Sequence, residues 1–143
     1  MIRLREHVEV DATPEAAFAF VARAEDYPAW LPGVDRAELT ADGGIRLSLV
    51  GPGGIGVDAL GRVTASDPPR SISIEATSGL FRIAATCTVE PLGAARSRIG
   101  VEADVEPRGL AKLAAGSIEG ELRAAVPDTL RRLREAVEAE PGS

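Results

Sequence analysis

The stretch Asp11–Val34, DATPEAAFAFVARAEDYPAWLPGV, decides which fold the sequence predicts. It begins as a helix, because Thr13 suits the N-cap and Pro14 suits the first helical turn. A second short helical segment follows, which carries the only tyrosine and the only tryptophan of the chain and stops at a Pro-Gly pair. The role of two short helices at this point becomes clear from the segments around them.

Strand patterns flank this stretch on both sides. Residues 2–10 alternate between apolar and polar side chains, which predicts a strand with one buried face. Six further alternating segments follow, separated by turn sequences such as Asp-Gly-Gly at 42–44 and Asp-Pro-Pro-Arg at 67–70 and by a predicted loop, PLGAARS, at 91–97. Because most of the joining turns are short, we expect antiparallel neighbours.

The end of the chain changes to helical spacing. Apolar residues recur there at steps of three and four, which predicts a long helix over residues 117–139 that is capped by Ser117 and bent at Pro127. This helix is the only large element that can cover the apolar face of the sheet. The predicted fold is therefore α+β: a seven-stranded curved antiparallel sheet wrapped around a long C-terminal helix. The two short helices between strands 1 and 2 close one end of that sheet.

Composition limits the possible functions. A chain of 143 residues suits a single domain, which we expect over residues 1–140, with a disordered tail over 141–143. The single cysteine excludes an internal disulfide, and the N-terminus has no apolar leader, so we expect a cytoplasmic protein with no integral membrane association. The net charge of −6 argues against nucleic-acid binding. Whether the protein is a monomer or a homodimer stays open.

The order of elements resembles the helix-grip fold of the START / Bet v1-like (SRPBCC) superfamily, in particular its polyketide cyclase/dehydrase and lipid-transport group. The segments HVEVDATPEAAFAFV, DYPAWLPGV and SDPPRSISIE carry this resemblance, which covers essentially the whole chain. It implies an apolar cavity between the sheet and the C-terminal helix. Members of the superfamily hold lipids, polyketides or other hydrophobic small molecules there.

The alternation of each strand assigns the wall of this cavity. Nearly all inward positions are apolar, and several are small enough to leave room for a ligand. An apolar ligand that buries on the order of 300 Å² would gain roughly 7 kcal/mol before association costs, so we expect micromolar binding. The residues expected to contact it are Trp30, Leu31, Leu47, Leu49, Val57, Ala59, Ile74, Phe81, Ile83, Ala85, Cys87, Val101, Leu122 and Val126.

Catalysis would need a proton donor and a proton acceptor inside the cavity. Glu6 has inward parity, whereas Arg46 or Arg82 would turn inward only if a one-residue bulge shifted its strand. These three are the catalytic candidates. Three functions stay open: binding of a hydrophobic small molecule, which the apolar wall favours; an enzyme of the polyketide cyclase, aromatase or dehydratase type, which the resemblance implies; and a cochaperone-like interaction module.

Other motifs indicate no cofactor. The segment GPGGIG at 51–56 matches a dinucleotide-binding pattern in letters, but a strand pattern follows it where that site needs a helix, so we expect a hairpin tip at the cavity mouth. His7, the only histidine, has outward parity. Cys87 lies among inward apolar residues and is expected to act as a small hydrophobe. No Cys/His/Asp spacing typical of a metal site occurs, so no metal is expected.

Overall fold

The computed structural model describes residues 1–31, 33–50, 54 and 56–140, and it contains the predicted sheet. The seven strands are antiparallel in the order β1-β7-β6-β5-β4-β3-β2, so β1 and β2 are the two edges. The tail at 141–143 and most of the 51–56 segment lie outside the described residues. The strands are β1 Ile2–Val10, β2 Val34–Leu39, β3 Ile45–Val50, β4 Gly56–Asp67, β5 Ser71–Thr77, β6 Phe81–Gly93 and β7 Arg96–Pro107.

Two short α-helices lie between β1 and β2, as the sequence predicts. Helix α1 spans Pro14–Ala22, and the hydroxyl of its N-cap, Thr13, accepts a hydrogen bond from a backbone N–H in the first turn. A 3₁₀ turn then leads into α2, Tyr27–Trp30. The helix-grip prediction is therefore confirmed, with these helices closing one end of the sheet.

The long helix α3 spans Ala115–Glu138 and includes Pro127. A 3₁₀ helix, Gly109–Ala114, connects it to β7. The prediction that Ser117 caps α3 is wrong, because the helix already begins two residues earlier and its N-cap position is an alanine without a side-chain hydrogen bond.

The β6–β7 connection is tighter than the sequence predicts. The segment PLGAARS was expected to form a loop, yet β6 continues to Gly93 and β7 begins at Arg96. A register shift between Pro91 and Gly93 explains the difference. Proline cannot donate to the ladder, and a bulge accommodates it while interrupting the alternation that marks a strand in the sequence.

The register gives the sheet a charged outer face and an apolar inner face. Ile74 on β5 pairs with Ala85 on β6, which pairs with Ala103 on β7, and all three belong to the inner face. Ion pairs such as Arg5–Glu102, 2.6 Å, cross neighbouring strands on the outer face. These pairs are largely exposed, so each contributes little to stability.

The apolar interior consists of two packed clusters. The first cluster joins α1, α2 and the end of α3 to β1, β6 and β7, and it includes Trp30, Ile99, Leu133 and Val137. The second cluster joins the 3₁₀ turn and α2 to β2, β3, β4 and β5, and it is built around Tyr27. Leu31 is half-buried and packs against both clusters.

Candidate ligand-binding site

Helix α3 packs differently on the two sides of Pro127. After the proline, Leu133 and Val137 are only 0% and 1% exposed and belong to the first cluster. Before it, Leu122 and Val126 remain half-buried, although their spacing places them on the same face of the helix. The N-terminal half of α3 therefore presents an apolar face that the protein itself does not cover fully.

The middle of the sheet shows the same incomplete burial. Ile83, Ala85 and Ala103 have inward register, are half-buried and belong to neither cluster. Two further half-buried apolar residues outside both clusters are Leu4 on β1 and Ile118 on α3. We call the space between this part of the sheet and the N-terminal half of α3 the groove.

Small side chains explain why the groove stays open. Ala85 and Ala103 lie directly opposite each other on neighbouring strands, where a packed interior would carry larger residues. Replacing Leu or Ile by Ala at such positions leaves space that the surroundings fill only in part. The sequence therefore puts less side-chain bulk on this part of the inner face than a packed interior carries.

The two packed aromatic residues supply polar atoms within the apolar interior. Tyr27 and Trp30 make an edge-to-face contact, with ring centroids 6.5 Å apart. Burial raises the pKa of the Tyr27 phenol to about 12, and the nearby Cys87 and Glu25 contribute to the same rise. The phenol is therefore neutral at pH 7. The indole Nε1–H of Trp30 is buried and has no acceptor among the described residues.

Cys87 is also neutral. It is buried in the first cluster, and burial raises the pKa of its thiol to about 12. Because the thiolate is the nucleophilic form, this cysteine is unreactive at neutral pH. Its position supports the expectation that it acts as a small apolar side chain.

The three catalytic candidates do not converge. Glu6 has inward register opposite Val101, but it is exposed on the edge strand β1. Arg46 and Arg82 were expected inside only if a bulge turned them, and the described pairings of their strands show no register shift at either position. Arg82 instead forms an ion pair with Glu75 on the outer face, at 3.2 Å.

The residues predicted to contact a ligand divide into three groups. Those buried within the packed clusters are Trp30, Leu47, Ala59 and Cys87. Those that are half-buried against a cluster are Leu31, Leu49, Ile74, Phe81 and Val101. Those that are half-buried outside both clusters are Val57, Ile83, Ala85, Leu122 and Val126. Leu4 and Ile118, which the prediction does not include, are half-buried outside both clusters in the same way.

Two hollows lie apart from the groove. One, of about 390 Å³, is on the outer face and is lined by Arg62, Glu75, Arg82 and Arg108 among others. The other, of about 450 Å³, lies between Val8 of β1 and the segment of α3 around Arg131. Charged side chains line both, so neither suits a wholly apolar ligand.

The described residues contain neither a cluster typical of a metal site nor a membrane-spanning helix. In the described part of the chain, no group of three or more His, Cys, Asp or Glu side chains is placed to hold a metal ion. No described helix is both long enough and apolar enough to cross a bilayer.

Comparison with known proteins assigns the family. Residues 1–138 match the family model described as polyketide cyclase / dehydrase and lipid transport, so the chain belongs to that family. The groove between sheet and helix is thus found in a protein whose family description names both small-molecule chemistry and lipid transport. A comparison with curated protein sequences found no match.

Solved structures share the fold at low identity. A protein from Thermus thermophilus has a TM-score of 0.78 and 19% identity, covering 96% of this chain and 97% of that one. The Zhui aromatase/cyclase from a Streptomyces species has a TM-score of 0.73 and 19% identity, covering 99% and 98%. A START superfamily protein from Mycobacterium smegmatis has a TM-score of 0.71 and 21% identity, covering 94% and 98%. These likenesses show the fold.

Proposed function

We propose that this protein binds a neutral, apolar small molecule in the groove. The observation that carries the proposal is the contrast along α3, whose apolar face is packed at Leu133 and Val137 and left half-buried at Leu122 and Val126. The sheet beneath the open half is equally apolar and incompletely buried. A ligand between the two surfaces would remove both from water, which is the main favourable term in binding of this kind.

The charge of the site favours a neutral ligand. No arginine or lysine has inward register on the described strands, and the inward carboxylate of β1, Glu6, lies at the exposed edge. An anionic group inside the groove would lose its hydration without gaining a cation, which is costly. Lipids and aromatic polyketides without a buried charge meet this requirement.

Binding is supported more strongly than catalysis. Cyclisation or dehydration needs a general base next to the ligand. Burial raises the pKa of Tyr27 to about 12, so its phenol can donate a hydrogen bond at pH 7 but cannot act as a base. Glu6 is exposed at the edge of the sheet. We therefore place the polyketide cyclase hypothesis second; the fold likeness to the Zhui aromatase/cyclase is its support.

Fluorescence titration with N-phenyl-1-naphthylamine tests this proposal. The probe is neutral and apolar, and its emission rises in apolar surroundings, so we expect saturable binding with a micromolar dissociation constant. Its sulfonated analogue, 8-anilinonaphthalene-1-sulfonate, has a similar aromatic body with a negative charge, and it should bind at least about tenfold more weakly.

Two adjacent alanines provide a matched pair of variants. Ala84 and Ala85 are both half-buried on β6, but Ala85 faces the groove and Ala84 faces outward. The Ala85→Leu variant should bind the neutral probe at least about tenfold more weakly, because its side chain fills the site, whereas Ala84→Leu should bind as the wild type does. No saturable binding, or equal loss in both variants, would overturn the proposal.

A further inference from the structure

The 3₁₀ helix Gly109–Ala114 presents large apolar side chains to solvent. Leu110 and Leu113 are 79% and 88% exposed, the two highest values among the exposed large aliphatic side chains of the described residues other than the terminal methionine. Side chains three residues apart in a 3₁₀ helix eclipse each other, so the two leucines project on the same side. Keeping them in water is unfavourable, which calls for a partner surface.

The backbone holds this segment in place. Arg108 donates its backbone N–H to the carbonyl of Leu80 at 2.7 Å, which ties the start of the segment to the β5–β6 turn. Gly109 has a φ of 57°, a conformation that glycine adopts without strain, and the chain turns there out of β7. The leucines therefore lie on a hydrogen-bonded 3₁₀ helix whose first residue follows directly on this tie to the β5–β6 turn.

The charge around the leucines is opposite to that of the whole chain. From Pro107 to Ile118 there are two basic residues, Arg108 and Lys112, and no acidic one, although the chain has a net charge of −6. Lys112 is its only lysine. Neither basic side chain forms an ion pair with a described carboxylate. The first turn of α3, which follows, also has no acidic residue, so the positive end of the helix adds to the local field.

We infer that this segment, which we call the basic leucine segment (Arg108–Ala114), docks the protein on a lipid bilayer that contains anionic lipids. Two leucines inserted at the level of the headgroups, flanked by cations that contact phosphates, are the combination that binds such a surface. A second copy of the chain is not the partner favoured here, because two leucines cover far less than the roughly 1,000 Å² that a specific protein interface buries.

The position of the segment gives docking a purpose. It leads directly into the N-terminal half of α3, whose Leu122 and Val126 line the groove. A ligand that leaves the bilayer beside the leucines would meet an apolar surface at once. This purpose rests on the proposed function, but docking itself can be measured on protein without ligand.

Vesicle co-sedimentation of the whole protein tests docking. With phosphatidylcholine vesicles that contain about 30% phosphatidylglycerol, we expect binding at about 50 mM salt that weakens strongly at about 500 mM. The Leu110→Ser/Leu113→Ser variant should bind at least about tenfold more weakly. The Arg108→Gln/Lys112→Gln variant should lose about fivefold for each charge. Leu39→Ser and Leu92→Ser, which change exposed leucines elsewhere, should bind as the wild type does.

A labelled variant shows which residues enter the bilayer. Cys87 is buried and its thiol pKa is raised to about 12, so a thiol-reactive environment-sensitive dye should label Leu113→Cys selectively. Its emission should shift to the blue with the anionic vesicles, and the same dye on Leu92→Cys should not respond. Absence of binding to the anionic vesicles, equal binding to pure phosphatidylcholine, or equal dye responses would overturn the inference.

The same experiment separates docking from ligand binding. The Ala85→Leu variant should lose the neutral probe but sediment with vesicles normally. If the wild type docks and yet binds no probe, the proposed function fails while the docking inference stands. If the wild type binds the probe but no vesicles, docking is wrong and the groove remains a binding site.

Discussion

The two halves of α3 have the same apolar spacing but different surroundings. After Pro127 the helix contributes Leu133 and Val137 to a cluster that excludes water. Before Pro127 its apolar residues Leu122 and Val126 remain half-buried and belong to neither cluster. The difference shows that apolar periodicity alone does not distinguish a residue that holds the fold together from one that is left open to a ligand. What covers the residue decides between the two roles.

The largest expected effect is in the packed half. Leu133→Ala should lower the free energy of unfolding by about 3–5 kcal/mol, because the side chain is fully buried and its removal leaves a cavity. Leu122→Ala, the matched change in the open half, should cost about 1 kcal/mol or less in protein without ligand. Urea denaturation of both variants measures the contrast, and equal losses would show that α3 is packed uniformly.

The ionisation of the buried Tyr27 phenol should make the free energy of unfolding depend on pH. The folded state raises the pKa of Tyr27 from 10.0 to about 12, so this stabilisation is complete below pH 10 and is lost as pH rises towards and through 12. The loss approaches about 3 kcal/mol. Tyr27→Phe keeps the ring but has no group to ionise, so its unfolding free energy should fall less than that of the wild type between pH 10 and 12.

Wild type and Tyr27→Phe both lose, as the pH rises, the stabilisation that comes from Cys87, whose thiol pKa is raised from 9.0 to about 12. Its stabilisation is present below pH 9 and disappears over the range up to about 12. The difference between wild type and Tyr27→Phe therefore reports the phenol together with its interaction with Cys87. Identical pH curves for the two proteins would mean that Tyr27 ionises freely and that the second cluster is open to water.

Enlarging an alanine side chain should affect stability differently in the packed and the open parts of the sheet. Ala59 is fully buried in the second cluster, so Ala59→Leu should cost about 1–3 kcal/mol. Ala85→Leu should change stability by less than about 1 kcal/mol, because the added methylenes enter the groove. Thermal unfolding of the two variants makes this comparison. A destabilised Ala85→Leu variant would indicate that the groove has no spare volume.

The smallest effect is expected on the outer face. Arg82 and its partner Glu75 form an ion pair with the Arg82 side chain about half exposed. Arg82→Ala should change the unfolding free energy by about 0.5 kcal/mol or less and leave binding of the neutral probe unchanged. Arg46→Ala should also leave probe binding unchanged. A variant of either arginine that abolished binding would place that residue inside the site and restore it as a catalytic candidate.

The fold could be predicted from the sequence because local signals agree. Strand alternation, the Thr13-Pro14 helix start and the change to helical spacing after Gly109 each indicate the element that the structure contains. Two features were predicted at the wrong position. The start of α3 was misplaced because its N-cap has no polar side chain, and the β6–β7 turn was misplaced because a bulge interrupts the alternation.

The candidate site was only partly predictable, for a physical reason. Alternation gives the face on which a side chain lies, so it placed Ala59 and Ala85 together as inward residues. Burial depends on what lies above that face: Ala59 is packed in the cluster that contains Tyr27, whereas Ala85 belongs to neither cluster. That coverage is set by the long-range positions of α2 and α3, which no local pattern records.

Methyl NMR of the alanine-labelled protein, titrated with N-phenyl-1-naphthylamine, shows whether a ligand enters the groove. We expect the methyl signals of Ala85 and Ala103, in the groove, to shift with the probe. The signals of Ala59, in the packed second cluster, and Ala84, on the outer face, should stay in place. Shifts at Ala84 without shifts at Ala85 and Ala103, or no shifts under saturating probe, would show that no ligand binds in the groove.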